Sequence, residues 1–138
     1  SAFLVMEGLS GRESDPREAA REYAVAGTLD GSECSGTGTC VYADETGNAR
    51  FFAFAFEVSS ATASRTVEFG IGFGLDDSPL EIYTYAGTAE VNGVTAEVWT
   101  YSEGGTSYTF CIGSLCTVLR ATVSSADMEV TGDIASSE

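Results

Sequence analysis

Between Phe51 and Phe73 the chain alternates so regularly that little besides paired strands can accommodate it. Phe52, Phe54, Phe56 and Val58 fall on one face of an extended segment, and Val67, Phe69, Ile71 and Phe73 fall on one face of the next. The connection Ser59 to Ser64 predicts that the two form an antiparallel hairpin whose large residues enter one core. On the reverse faces stand Ala53, Ala55, Gly70 and Gly72, smooth enough for another backbone to come close, and the alanine side of a helix is expected there. Gly70 to Gly74 is not a phosphate loop, because glycine alternates inside a strand pattern and no helix start follows.

Turn chemistry sets the rest of the architecture. Val91-Asn92-Gly93-Val94 is a hairpin signal, since Asn-Gly readily takes the positive φ angles of a type I′ turn, and Glu103-Gly104-Gly105-Thr106 repeats it. Strands are expected at about 80–86, 94–102, 106–111, 116–124 and 128–134. Eight or more short strands in a meander predict an all-β fold, an antiparallel β-sandwich or β-barrel. One exception is expected near the start. Ala2 to Met6 reads as a short strand, and Asp15-Pro16-Arg17-Glu18 carries a helix cap, predicting a short helix to about Ala24 that Gly27 ends. The 138 residues suffice for a single domain, with the N-terminal strand and helix at about 1–27 and the meander at about 28–135.

A two-residue turn fixes register, and register places side chains. With Gly104 and Gly105 as the turn, Tyr101 faces Tyr108 and Trp99 faces Phe110. Glu97, Trp99 and Tyr101 then share a face, joined by Glu90 if Asn92-Gly93 sets the neighbouring register. Either this face is a structural aromatic core, worth about 0.5 to 1.5 kcal/mol per ring pair beyond area burial, or it lines a pocket. In the second case Trp99, Tyr101, Tyr108, Phe110, Tyr83 and Tyr85 are the candidate ligand contacts, and Glu97, Tyr101 and Tyr108 the candidate catalytic groups.

Composition removes more chemistry than any motif supplies. There are 21 acidic and 6 basic residues for a net charge of −15, every basic residue is arginine, and histidine is absent. Histidine-based triads, imidazole metal ligands, lysine Schiff bases and phosphate-loop lysines are thereby excluded. Nucleic acid and anionic membranes are unfavourable partners for so negative a surface. No cofactor motif is present. Metal candidates are carboxylates near turns: Asp30 with Glu33, Asp44 with Glu45, and Asp76, Asp77 and Glu81, which suit Ca²⁺ by ligand type but do not match the twelve-residue EF-hand loop.

Four cysteines form two local pairs across turn-like residues, Cys34 with Cys40 and Cys111 with Cys116. Local disulfides Cys34–Cys40 and Cys111–Cys116 are expected, and with them an extracytoplasmic location: secreted, periplasmic or at the cell surface. Their spacing is wrong for the common zinc ribbons.

Residues Phe3-Leu4-Val5-Met6-Glu7-Gly8-Leu9-Ser10-Gly11-Arg12-Glu13-Ser14 resemble the opening strand and loop of type VI secretion tube proteins. The likeness covers under a tenth of the chain, and the helix cap, the cysteine pairs and the short C-terminal end depart from that family.

The leading expectation is a non-enzymatic binding or assembly protein whose partner is another protein or a small apolar or aromatic ligand, without membrane insertion and compatible with a homo-oligomer or larger assembly. Two alternatives stand beside it. One is a small β-barrel enzyme of cyclase or isomerase type, with an aromatic-lined pocket and a glutamate acid or base. The other is a tube or particle subunit whose apolar N-terminal strand adds to a neighbour's sheet.

Overall fold

The computed structural model describes residues 21–46, 49–114 and 117–134, and every regular element among them is a strand. In chain order these are β1 (Arg21–Leu29), β2 (Ser32–Thr46), β3 (Ala49–Ser59), β4 (Ser64–Phe73), β5 (Thr84–Val91), β6 (Val94–Glu103), β7 (Thr106–Ile112), β8 (Val118–Ser125) and β9 (Met128–Asp133). They form one nine-stranded antiparallel sheet in the order β4-β3-β2-β1-β9-β8-β7-β6-β5. Apart from β1 with β9, and the open ends at β4 and β5, every pairing joins strands consecutive in the chain.

The registers predicted from the two tight turns hold, and the expected hairpin of β3 and β4 forms. Phe54 faces Phe69 and Phe56 faces Val67 across β3 and β4. Val91 faces Val94 around Asn92 and Gly93, whose φ angles are 51° and 83°. Tyr101 faces Tyr108, Trp99 faces Phe110 and Glu103 faces Thr106 around Gly104 and Gly105.

Ring contacts link strands that are far apart in sheet order. Phe54 on β3 meets Phe110 on β7 at 5.6 Å between centroids, and Phe69 on β4 stacks on Tyr108 of β7 at 5.2 Å. The sheet therefore bends until its two halves share one interior. Leu29, Phe54, Phe56, Ile71, Phe73, Phe110, Val123 and Val130 are sealed inside it. A smaller buried cluster, Val91, Ala96, Cys111 and Leu119, forms separately on β5 to β8.

Residues 74–83 run back along β4. Leu80 N–H donates to Gly72 O at 3.0 Å, Phe73 bridges Pro79, and the Tyr83 hydroxyl donates to Gly70 O at 3.2 Å. Leu80 and Phe51 occupy the space a side chain at Gly72 would need. The smooth reverse side of β4 is thus covered at this point by the chain's own connection.

Two expectations are corrected. Residues 21–24, assigned to the end of a helix, belong to β1, because Tyr23 and Val25 are buried while Glu22, Ala24 and Ala26 are exposed, a period of two. The rest of that helix and the strand Ala2 to Met6 lie outside the described residues. The Cys34–Cys40 disulfide is also overturned. Both thiols are free on the single strand β2, where Cys34 pairs with Gly27 and Cys40 with Arg21. Six residues of extended chain span roughly 20 Å, about three times the Cα separation a disulfide allows. Cys111 is likewise free, packed in the smaller cluster, and its expected partner Cys116 lies outside the described residues.

The turn-like sequence between Cys34 and Cys40 has a different purpose. A Cβ on Gly38 would stand 2.3 Å from the Tyr23 ring, and one on Gly132 would stand 2.7 Å from it. These glycines on β2 and β9 leave room for a tyrosine pointing inward from β1, whose hydroxyl donates to Thr39 O at 3.2 Å.

Candidate functional site

Alternation along β6 and β7 delivers Trp99, Tyr101, Tyr108 and Phe110 to one face, and the connection from β4 adds Tyr83. Their ring contacts fall into two groups on that face. Tyr101 stacks on Tyr108 at 6.0 Å, Tyr83 lies 5.5 Å from Tyr101 and 6.1 Å from Phe110, and Tyr85 meets Trp99 edge-on at 5.4 Å. Tyr83, Tyr101, Tyr108 and Phe110 thus join in one cluster, and Tyr85 and Trp99 form a pair on the same face, with Trp99 opposite Phe110 in register.

Burial is graded along this array. Phe110 is wholly enclosed and Tyr83 is 9% exposed, whereas Trp99, Tyr101 and Tyr108 are half-buried and Tyr85 is 52% exposed. The array thus has a closed floor and an open rim. At the rim stand two carboxylates. Trp99 Nε1 donates to Glu97 Oε1 at 3.0 Å, and the Tyr101 hydroxyl donates to Glu103 Oε1 at 2.7 Å. That second bond, with the charge of Glu103 behind it, raises the Tyr101 pKa above its ordinary value, so the hydroxyl keeps its proton and remains a donor. Glu90, opposite Thr95, falls on the same face by register.

Sequence reasoning missed Phe69 and Glu103 as members of the site. Phe69 touches Tyr108 only because the sheet brings β4 against β7, a non-local contact with no signature in the sequence. Glu103 stood in view as a turn residue, and the signal that could have found it was its i, i+2 relation to Tyr101 on the same face of β6.

Asp76, Asp77 and Glu81 do not converge, and the side chains of Asp44 and Glu45 lie outside those described. Asp76 Oδ1 accepts from the backbone N–H of Ser78 at 3.1 Å, Asp77 is paired with Arg50, and Glu81 is exposed. Among the described residues no group of three or more cysteine, aspartate and glutamate side chains is placed to hold a metal ion. A shallow groove of about 510 Å³ lies across β1, β2 and the β3–β4 turn, lined in part by Ala26, Glu33, Cys34 and Ser60. Its lining contains no aromatic ring.

No protein-family model matches the chain, and no curated protein or solved structure is significantly similar to it.

Proposed function

We propose that the protein binds a small apolar or aromatic ligand at the open rim of the ring array, between Trp99, Tyr101, Tyr108 and Tyr85. We further propose that the sheet acts as a barrel rather than a sandwich, with residues 74–83 filling the seam between β4 and β5. The observation carrying the binding reading is the gradation of burial. A purely structural aromatic core gains most by enclosing every ring, yet Trp99, Tyr101 and Tyr108 on the core-facing side of β6 and β7 stay partly exposed and Tyr85 beside Trp99 is 52% exposed. The meander order, the β1–β9 pairing and the two hydrogen bonds from Leu80 and Tyr83 to β4 support the barrel reading. With Cys34 and Cys40 free, nothing in this function calls for an oxidising compartment.

Titration with N-phenyl-1-naphthylamine, a neutral apolar fluorophore, tests the proposal. Saturable binding that quenches Trp99 emission, and that Tyr108→Ala weakens, is expected. Absence of binding, or binding that leaves Trp99 emission unchanged, overturns it.

One observation favours a second reading, a small cyclase or isomerase working at the same rim. The Tyr101 hydroxyl is held 2.7 Å from the Glu103 carboxylate, so a proton donor and a base stand side by side. Turnover that Glu103→Gln abolishes without loss of fold would favour this reading over simple binding.

A further inference from the structure

We infer that the ligand class favoured at the ring array is an organic cation with an apolar body, such as an alkylammonium, its charged head seated among Tyr85, Trp99 and Tyr101. The inference rests on the binding function proposed above and adds the sign of the ligand's charge.

Three features of the rim converge on it. Tyr85 and Trp99 meet edge to face at 5.4 Å and an interplanar angle of 63°, so the ring that offers its edge keeps its own faces clear of the other. Ring faces carry negative potential and attract quaternary ammonium groups. Next, each of the two best donors at the rim gives its hydrogen bond to a carboxylate, Trp99 to Glu97 and Tyr101 to Glu103. A carboxylate accepting from an indole N–H or a phenol O–H pushes electron density into that ring and deepens the negative potential on its face. The donors that an anionic or neutral polar ligand would seek are already engaged.

The third feature is charge. Among the described residues neither Glu97 nor Glu103 forms an ion pair, while Arg65 at the start of β4 is paired with Asp127 at 3.3 Å and Arg120 with Asp133 at 2.5 Å. Each glutamate spends one oxygen on its ring donor and turns the rest of its charge to water, so the rim presents uncompensated negative charge beside electron-rich faces. An ammonium head meets both, and its alkyl chain can lie against the exposed Tyr85 ring. Anions are repelled by the same groups.

The experiment compares three ligands of one chain length, octyltrimethylammonium, octanol and octanoate, all below their aggregation concentrations. Binding is followed by Trp99 emission and calorimetry. The cation should bind about tenfold or more tighter than the alcohol, the size expected of a partly desolvated cation–π contact, and octanoate should be weakest. The double variant Glu97→Gln, Glu103→Gln should lose most of the cation's advantage while keeping octanol affinity. A matched double variant far from the rim, Glu33→Gln with Glu129→Gln, should keep that advantage. Equal affinity for octanol and the cation overturns the inference and leaves apolar binding standing. Equal loss in both double variants also overturns it, by assigning the preference to the net charge of the whole chain. Binding of none of the three, with none of the naphthylamine, defeats the binding function and the inference together.

Discussion

Trp99 and Phe110 are direct partners across β6 and β7, and their surroundings could hardly differ more. Phe110 is fully enclosed by Phe54, Phe69 and Tyr83, whereas Trp99 is only partly buried, with its N–H on an exposed carboxylate. One step along the same hairpin, Tyr101 and Tyr108 show the transition between the two. The pair teaches that alternation decides which side of a strand a residue occupies, while the strand's place in the sheet, β7 against β3 and β4 and β6 one strand nearer the open end, decides whether that side is dry. A sealed floor supplies stability, and an open rim built from the same residue types is free to serve something else.

The largest expected effect lies at the floor. Phe110→Ala should cost about 3 to 5 kcal/mol in chemical denaturation, the range for emptying a large enclosed site. A cost near that of a surface change would show that the floor is not sealed, and the contrast with Trp99 would disappear.

Alkaline pH should reach the interior next. Burial pushes the Cys40 thiol up to about 12 from an ordinary value of 9.0, with Arg21 drawing it partly back, and burial raises the Tyr23 hydroxyl as well. Folded Cys40 is neutral where the unfolded thiol has already ionised. Its contribution is therefore complete below pH 9 and is lost as pH climbs from about 9 towards 12, at up to roughly 1.4 kcal/mol per pH unit for each such group. Urea midpoints measured from pH 8 to pH 11 should fall, and Cys40→Ala should flatten the decline. A pH-independent midpoint would place the thiol in water.

Gly38→Ala comes third, at about 1 to 3 kcal/mol, because the new methyl group must displace the Tyr23 ring from its place between β2 and β9. Adding Tyr23→Leu should recover part of the loss. If the double variant were no better than Gly38→Ala alone, the ring would not be what requires the glycine.

The smallest effect is expected at the rim. Trp99→Ala should cost only about 1 to 2 kcal/mol, since a partly exposed ring forfeits part of the burial that Phe110 enjoys. Acrylamide should quench its emission readily. A blue-shifted, shielded tryptophan with a cost equal to that of Phe110→Ala would turn the rim into a second floor and remove the ground for binding.

Legibility followed the locality of the signal. Asn92-Gly93 and Gly104-Gly105 fix backbone angles within a few residues, so the registers through Val91, Trp99 and Tyr101 could be read from the sequence alone, and with them the membership of the ring array. The rows Phe52 to Val58 and Val67 to Phe73 announced their faces by period. What escaped was set by distant partners. Ser-Gly-Thr-Gly-Thr looks like a turn because its glycines look like turn glycines, whereas Gly38 is glycine on account of a ring from another strand. The Asp15-Pro16 cap drew residues 21–24 into a helix, while their actual state follows from pairing with β2 and β9. The gradation of burial along the ring array depends on how β4 and β7 come together, which no local pattern records.

The pairing of β1 with β9, through Val25 opposite Gly132 and Leu29 opposite Met128, has a consequence in time. Every other neighbouring pair in the sheet is a hairpin or short connection that can zip from its own turn, an event of microseconds. The β1–β9 ladder joins residues from opposite ends of the described chain and must wait until the loop between them has been ordered by everything else. The protein should therefore assemble as two independent runs of hairpins, β1 to β4 and β5 to β9, that meet last. That final encounter sets Val25 opposite Gly132 and Gly27 opposite Val130, brings Phe54 and Phe69 against Phe110 and Tyr108, and is the step at which the interior first becomes dry.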